Sequence, residues 1–419
     1  MAQLSDDCFA FGGPMMSVAE AVATIAARVN AVRGVETVHL THADGRVLAS
    51  SIAAPLPLPP FTNSAVDGYA LSSRDLPVTA ERSFPVAGRV QAGASARGAI
   101  TPGQAIRIFT GAPLPDGADT VFMQEDVRVD QSGCVILPPG LSPGANVRPA
   151  GEDVALGHRA LPSGRRLRPQ DVALAAALGL THLEVRRRIR VAVFSTGNEV
   201  VSPGDARGGA QLFDSNRYMM MAMLTRLGCE VSDLGILCDD RVLLAAGLKA
   251  AAGAHDLIVT TGGVSTGEED HVKTSVKSVG TLVLWRMAIK PGRPVAMGII
   301  DGTPFIGLPG NPVASFVTFA YVVRPTILAL AGTDARRGPI PTPLRAAFDY
   351  KKKIGRREYV RVSLRTCQDG SLEVAKFPRE GAGLLSSLVQ TDGLVELGED
   401  VTRVHRRQMV RFFDYASLI

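Results

Sequence analysis

Between residues 189 and 332 the chain alternates apolar, strand-like runs with helical segments, and this rhythm limits its possible folds more than any other feature. Runs at 189–194, 230–237, 256–261, 281–285 and 303–308 read as strands. Segments at 216–227 and 242–252, and a long one after Pro312, read as helices. Alternation of this kind predicts a parallel sheet covered by helices. In such sheets ligands bind beyond the carboxyl ends of the strands. Those ends here carry Ser195 to Glu199, Asp239 and Asp240, Thr260 to Gly263, and Leu308 to Asn311.

The flanks follow other rules. Ser17 and Glu20 form a capping box ahead of Val18, Val22, Ile25 and Val29 at helical spacing. Strands are expected near 37–40 and 47–52, and the proline cluster from Pro55 to Pro60 marks a boundary. From 67 to 148 short runs at 84–90, 104–108, 120–124 and 135–137 are separated by Gly and Pro, which suggests an all-β module. Helical signals return after Gly151, where Arg168 and Pro169 open a segment ending at Gly179. After Pro339 the runs at 358–364 and 393–397 suggest a small β-barrel or sandwich. The expected architecture is multidomain α/β and β: a mixed linker domain (17–54 plus 149–187), a β-rich domain inserted into it (55–148), a central parallel α/β domain (188–332), and a C-terminal β domain (338–419).

Composition excludes several functions. The chain has 419 residues, too many for one core at roughly 100–200 residues per domain. Aromatics make up 5% with one Trp, too sparse for base-stacking platforms, and the basic clusters are short, so no nucleic-acid partner is expected. The net charge of +5 suits small anionic substrates. Five scattered cysteines without a C-x-x-C motif argue against a disulfide framework and a structural zinc site. The N-terminus carries Asp6 and Asp7 where a signal peptide would be basic. The apolar run from 313 to 330 is interrupted by Arg324 and Pro325, against a membrane span. The expected location is the cytoplasm.

Several strings have the residue types that chemistry needs. Around Asn63 to Ala70, prolines stiffen the approach and Asp67 precedes Gly68, which leaves a carboxylate available at a turn. From Thr260 to Lys273, glycines after a buried strand let N–H groups curl around an anion. Ser265 and Thr266 add hydroxyls, and Asp270 could orient a metal or cap a helix. This is no Walker loop, since G-x-x-x-x-G-K-[ST] is absent. In Leu308 to Pro312 two prolines rigidify a strand-to-helix loop, which alone reads as a helix cap without a ligand and beside the preceding Gly-rich loop as a phosphate site. Glu199, Asp239, Asp240 and Asp153 are carboxylates at strand or module ends. Carboxylates that converged would need a cation, and Mg²⁺ suits them together with phosphate. Lys290 and Arg293, with Arg286 before them, and Arg356, Arg357 and Arg361 supply cations that each alone reads as surface.

Taken together, these strings resemble the MoeA family of molybdopterin molybdenumtransferases, which includes the gephyrin E domain. The motifs come in the family's order: Asn63 to Tyr69, Phe109 to Pro113, Gly151 to Asp153, Ser195 to Glu199, Asp239 and Asp240, Gly262 to Lys273, Ala288 to Gly292, and Leu308 to Pro312. The resemblance implies insertion of molybdate into adenylylated molybdopterin, with release of AMP and Mg²⁺ as cofactor. It implies a central MogA-like domain, a C-terminal β-barrel, and a homodimer whose cleft lies between the α/β domain of one subunit and a domain of the other. It assigns Mg²⁺ to Asp239 and Asp270. Asp67, Thr110, Asp153 and Glu199 would line the cleft. Lys290, Lys273, Arg148, Arg356 and Arg361 would hold phosphate or molybdate, with Gly262, Gly263, Ser265, Arg286, Pro309 and Pro312 as further substrate contacts. A molybdopterin adenylyltransferase and molybdoenzyme-maturation proteins are implied partners.

Three positions depart from the family pattern. Thr62 stands where many members carry Asp, Asn198 where a second acid is common, and Arg286 where Lys is common. Two other readings compete. The α/β domain is also similar to the adenylyltransferases that activate molybdopterin, although those are usually single-domain. A scaffold role, as in gephyrin, would need a docking surface, and the Met-rich helix around Met219 to Met223 reads as core instead.

Overall fold

A computed structural model of the chain describes residues 15–94, 98–237, 240–262 and 271–419. Ser17 opens helix α1 (Val18–Arg28). Its hydroxyl accepts the Glu20 N–H at 3.2 Å and the Glu20 carboxylate accepts the Ser17 N–H at 2.7 Å. The expected capping box is therefore complete. Val18, Ala21 and Ile25 are buried, while Val22 and Val29 are half-buried.

After strand β1 (Val35–His39) the chain leaves for a β module. Its main sheet contains β2 (Gly68–Leu71), β3 (Val86–Val90), β4 (Ala105–Ile108) and β5 (Thr120–Met123), in the order β3-β4-β2-β5. A three-stranded sheet of Arg82–Phe84, Val135–Leu137 and Arg128–Val129 shares a core with it around Phe84, Phe122 and Leu137. The run expected over 84–90 is divided at Pro85, which has no N–H to give a ladder. Gly68 is required here, because a Cβ would lie 1.7 Å from the Phe122 carbonyl oxygen on β5. This fixes the residue after Asp67 by close strand approach.

The chain returns through Val147–Arg148, which pairs with Asn63–Ser64, and Arg159–Leu161, which pairs with Ile52–Ala53. Helix α2 (Pro169–Ala177) and strand β6 (His182–Arg186) follow. β6 pairs antiparallel with β1, from Val35 opposite Arg186 to His39 opposite His182. Only Ile52–Ala53 of the run expected over 47–52 is a strand; Val47 and Leu48 make single bridges to Arg166 and Val185.

The central domain contains β7 (Arg190–Thr196), α3 (Asn216–Arg226), β8 (Glu230–Leu237), α4 (Arg241–Ala254), β9 (Leu257–Thr261), α5 (His271–Val279), β10 (Gly280–Arg286), β11 (Pro294–Ile300) and β12 (Thr303–Leu308). The sheet order is β8-β7-β9-β12-β11-β10. The first four strands are parallel, as the alternation predicts. β11 continues the sheet antiparallel to β12, β10 pairs antiparallel to β11 and so runs with the first four, and β11 was not among the expected runs. The two faces are read off β7: Val191 and Val193 point toward α1, α3 and the last helix, Ala192 and Phe194 toward α4 and α5.

That last helix, α6 (Pro312–Leu330), has a mean hydropathy of 1.7 and is long enough to cross a bilayer, but 83% of its apolar window is buried within the fold. Arg324 and Pro325 do not interrupt it, contrary to the sequence expectation. Phe319–Val323 forms a π-helical turn just before them, and the wider turn accommodates a proline that cannot donate four residues back.

The C-terminal domain holds β13 (Thr342–Ala346), β14 (Arg357–Thr366), β15 (Leu372–Lys376), β16 (Gly393–Leu397) and β17 (Met409–Asp414). They run β14-β15-β13-β17-β16, and β16 pairs back with β14, closing a five-stranded barrel. The strand Ile289–Lys290 pairs parallel with β14 at Arg357 and Glu358, which joins the barrel to the central domain.

Asp256 fixes the opposite end of the central sheet. Its carboxylate accepts two bonds of 2.6 Å from the Arg187 guanidinium and one of 2.9 Å from the Arg190 N–H. Burial acts to raise its pKa, but these bonds outweigh it and hold the group at about 2. A carboxylate depressed in this way stabilises the fold above its ordinary pKa, and the effect is lost as pH falls toward 2. Asp256→Asn is expected to cost about 2 kcal/mol at neutral pH. In thermal unfolding followed from pH 6 to pH 2, the gap between variant and parent should close below about pH 4; a gap independent of pH would contradict this account.

Candidate functional site

Four chain segments converge at the carboxyl end of the parallel strands. β7 ends at Ser195 and Thr196 and turns to Glu199, β9 ends at Thr261 and Gly262, α3 begins at Asn216, and the loop from β12 to α6 supplies Gly310, Asn311 and Pro312. With Gly383 and Leu385 from the C-terminal domain they line a cavity of about 630 Å³. Gly197 has φ +134°, and a Cβ there would lie 2.7 Å from a Glu199 carboxylate oxygen, so glycine lets this turn fold back on its acid. Asn216 ties two walls together: its Nδ2 donates to Thr261 Oγ1 at 3.0 Å and to the Gly310 carbonyl at 2.7 Å. The helix it opens is anchored separately. Buried Arg217 donates from Nε to Asp214 at 2.8 Å and pairs with Asp233 through Nη1.

A second cavity of about 340 Å³ lies on the other side of the same loop, between the central and C-terminal domains. Its walls include Lys290, Pro309, Asn311, Arg361, Lys376 and Arg379, along with Glu358 and Glu380. Four cations therefore face two acids. Glu358, 1% exposed, accepts from Lys290 Nζ at 3.3 Å, Tyr350 OH at 2.8 Å and Arg356 Nε at 3.0 Å. Burial first, and then Glu358 itself, push the Tyr350 pKa up, so the phenol remains a donor. Lys376 pairs with Glu380 at 3.2 Å.

Arg361 differs from the other cations. It is 9% exposed, its guanidinium donates to the Arg379 carbonyl at 3.3 Å, and its Nε has no partner. No carboxylate pairs with it among the described residues, and burial lowers its pKa. A buried guanidinium without a counter-charge is costly, and an anion in the cavity would relieve that cost.

The residues singled out from sequence fall into groups. Glu199, Gly262 and Pro312 line the larger cavity; Lys290, Pro309 and Arg361 line the smaller, with Arg356 behind it on Glu358. Asp67 and Thr110 meet on the β module, where the carboxylate accepts the Thr110 N–H at 2.8 Å and its hydroxyl at 2.7 Å. These bonds, the backbone one first, lower the Asp67 pKa. Arg148 lies beside Glu152 at 3.6 Å, and Asp153 follows just after the β module. None of these four lines either cavity. Lys273 lies on α5 and Arg286 ends β10, also outside both linings. Asp239, Gly263, Ser265 and Asp270 lie outside the described residues. Among the described residues no three His, Cys, Asp or Glu side chains gather to hold a metal ion. Sequence reasoning missed Asn216 and Asn311, whose residue type at a helix start reads as a cap, and Glu358, Lys376 and Arg379, which no motif marks.

Comparison with known proteins agrees with this layout. Residues 16–179 match the MoeA N-terminal region (domain I and II), residues 192–329 a probable molybdopterin binding domain, and residues 343–412 the MoeA C-terminal region (domain IV). The molybdopterin molybdenumtransferase of Haemophilus influenzae is 35% identical over 92% of this chain and 95% of its own length. Molybdopterin molybdenumtransferase 2 of Mycobacterium tuberculosis is 35% identical over 96% of this chain and 100% of its own. The crystal structure of the molybdopterin biosynthesis MoeA protein from Pyrococcus horikoshii superposes with a TM-score of 0.80 at 28% identity, covering 95% of this chain and 99% of that one. With three family regions in order and full-length relatives at this identity, the chain belongs to the MoeA family of molybdopterin molybdenumtransferases.

Proposed function

We propose that this protein inserts molybdate into adenylylated molybdopterin, releasing AMP and forming molybdenum cofactor. The observation that carries the reading is Arg361, a buried guanidinium without a carboxylate, in a cation-rich cavity separated by one loop from a larger polar cavity at the strand ends. The smaller cavity suits a compact tetrahedral dianion. The larger suits an organic phosphate substrate, with the strand and loop backbone of Thr261, Gly262 and Gly310 at its wall. The names of the curated relatives support the same pairing of molybdopterin and molybdenum.

In this reading Lys290 and Arg361 neutralise the entering oxyanion, and Glu358 holds Lys290 and Arg356 in place. Charge neutralisation and positioning do most of the work when a phosphoanhydride breaks beside a second anion. Mg²⁺ belongs to the proposal through Asp239 and Asp270 on the strength of the family resemblance; bound there, it would offset charge on the anhydride phosphates. The dithiolene sulfurs that take the metal belong to the substrate, so no catalytic cysteine is needed. Asp67, Thr110, Arg148 and Asp153 would act across a homodimer, offered by the β module of one subunit and the segment just after it to the cleft of its partner. An adenylyltransferase would supply the substrate and maturation proteins would take the product, in the cytoplasm.

The direct test supplies purified protein with adenylylated molybdopterin, Mg²⁺ and molybdate and follows AMP. Molybdate-dependent AMP release, abolished in Asp270→Ala, is expected; bound substrate without release would move the function to binding alone. A second measurement isolates Arg361. Arg361→Met should hold or raise the thermal midpoint, because an unpaired buried charge is removed. The same variant should lose at least ten-fold in molybdate affinity by calorimetry. A destabilised variant with unchanged molybdate binding would assign Arg361 to the fold.

A further inference from the structure

The loop between β12 and α6 lies between the two cavities, and its carbonyls are engaged from Leu308 to Asn311. The Leu308 carbonyl accepts from the Gly262 N–H at 3.2 Å, that of Pro309 from the Ser315 hydroxyl, that of Gly310 from Asn216 at 2.7 Å, and that of Asn311 from the Ser315 N–H at 2.9 Å. Just beyond, the Val313 N–H donates to the Ala382 carbonyl at 3.0 Å, which fastens the loop to the C-terminal domain. A loop with every carbonyl engaged has little freedom to shift when substrates arrive.

One side chain in this fixed frame is left without a task. Asn311 is the residue from which α6 starts, yet its carboxamide does not cap the helix and forms no hydrogen bond with any described residue. Elsewhere in the chain Ser17, Asp240 and Asp414 do cap their helices with their side chains. Asn311 is exposed, and it lines both cavities. A carboxamide offers two donors and an acceptor without charge. A carboxylate there would cap equally well, because Asp and Asn are matched as caps. It would, however, repel molybdate on one side and phosphate on the other.

We propose that Asn311 is a substrate-contacting residue that bridges the two cavities, donating to the oxyanion held by Lys290 and Arg361 while touching the organic substrate in the larger cavity. Its neutrality is the property that counts: it gives a hydrogen bond to an anion where a carboxylate would exclude one. The inference rests on the functional reading above and adds to it the group that brings the two substrates into register.

The test compares full-length parent, Asn311→Asp and Asn311→Ala in three measurements. These are the thermal midpoint, calorimetric binding of molybdate alone, and steady-state kinetics with molybdate and adenylylated molybdopterin varied separately. Asn311→Asp should keep or raise the midpoint and lose at least ten-fold in molybdate affinity. Asn311→Ala should keep the midpoint, lose less in molybdate affinity, and lose at least ten-fold in kcat. Parental affinity and kcat in both variants would overturn the inference. So would a loss of activity accompanied by an equal fall in midpoint, which would make Asn311 a structural residue. An inactive parent would count against the proposed function instead, and the molybdate-binding comparison would still decide the role of Asn311.

Discussion

Glu358 is almost completely buried on a barrel strand, yet it receives a lysine from the neighbouring domain, an arginine two residues before it and a tyrosine. A carboxylate can be held in such a place only when its lone pairs are occupied. Its bond to Lys290 draws the Ile289–Lys290 segment against β14, a strand pairing that joins the barrel to the α/β domain alongside the Val313–Ala382 bond. The smaller cavity sits over this join. Its positive character is thus tied to how the domains are attached: the acid that fixes the joint engages Lys290, Glu380 engages Lys376, and Arg361 and Arg379 supply the excess.

The two cavities have different physical character because different elements build them. The larger is made from strand ends and the turn after them, so it presents backbone groups, small hydroxyls and the acid Glu199. The smaller is made where a barrel meets a sheet, so it presents long basic side chains. A molecule with an organic body and phosphates matches the first, and a small inorganic oxyanion the second. The segment from Leu308 to Pro312 runs between them, with Gly381 to Leu385 beside it.

Much of the α/β domain was legible in the sequence, because its central strands are buried on both faces and read as continuous apolar runs, and even the half-exposed edge strand over 230–237 and the strand over 303–308 have the expected limits. β11 was not legible. Its residues follow Lys290 to Arg293, whose cations draw attention to a loop, and Pro294, Met297 and Gly298 dilute the β-branched signal that marks the other strands. The site was legible where chemistry is local: Glu199, Gly262, Pro309 and Pro312 sit in strings whose glycines, prolines and acids announce a strand-end loop. It was illegible where tertiary closure brings residues in. Lys376 and Arg379 reach the cavity only because the barrel closes through β14 and β15. The pairing of Asp67 with Thr110, 43 residues apart, depends on the strand order of the β module. Pro325 misled for a different reason, since a π-helical turn absorbs it.

Helix α6 has a consequence for the order of synthesis. Its apolar surface is covered from the N-terminal side by α1 and the sheet, but also by late residues: Tyr359 stacks on Tyr321 with ring centroids 4.6 Å apart, and Tyr415 meets Phe316 edge-on at 5.2 Å. A growing chain therefore emerges from the ribosome with a nineteen-residue greasy helix whose final cover is translated last. Until Tyr415 is made, that flank stays open to chaperones and to other nascent chains, so the helical turn after β17 completes the cover of a surface prone to aggregation.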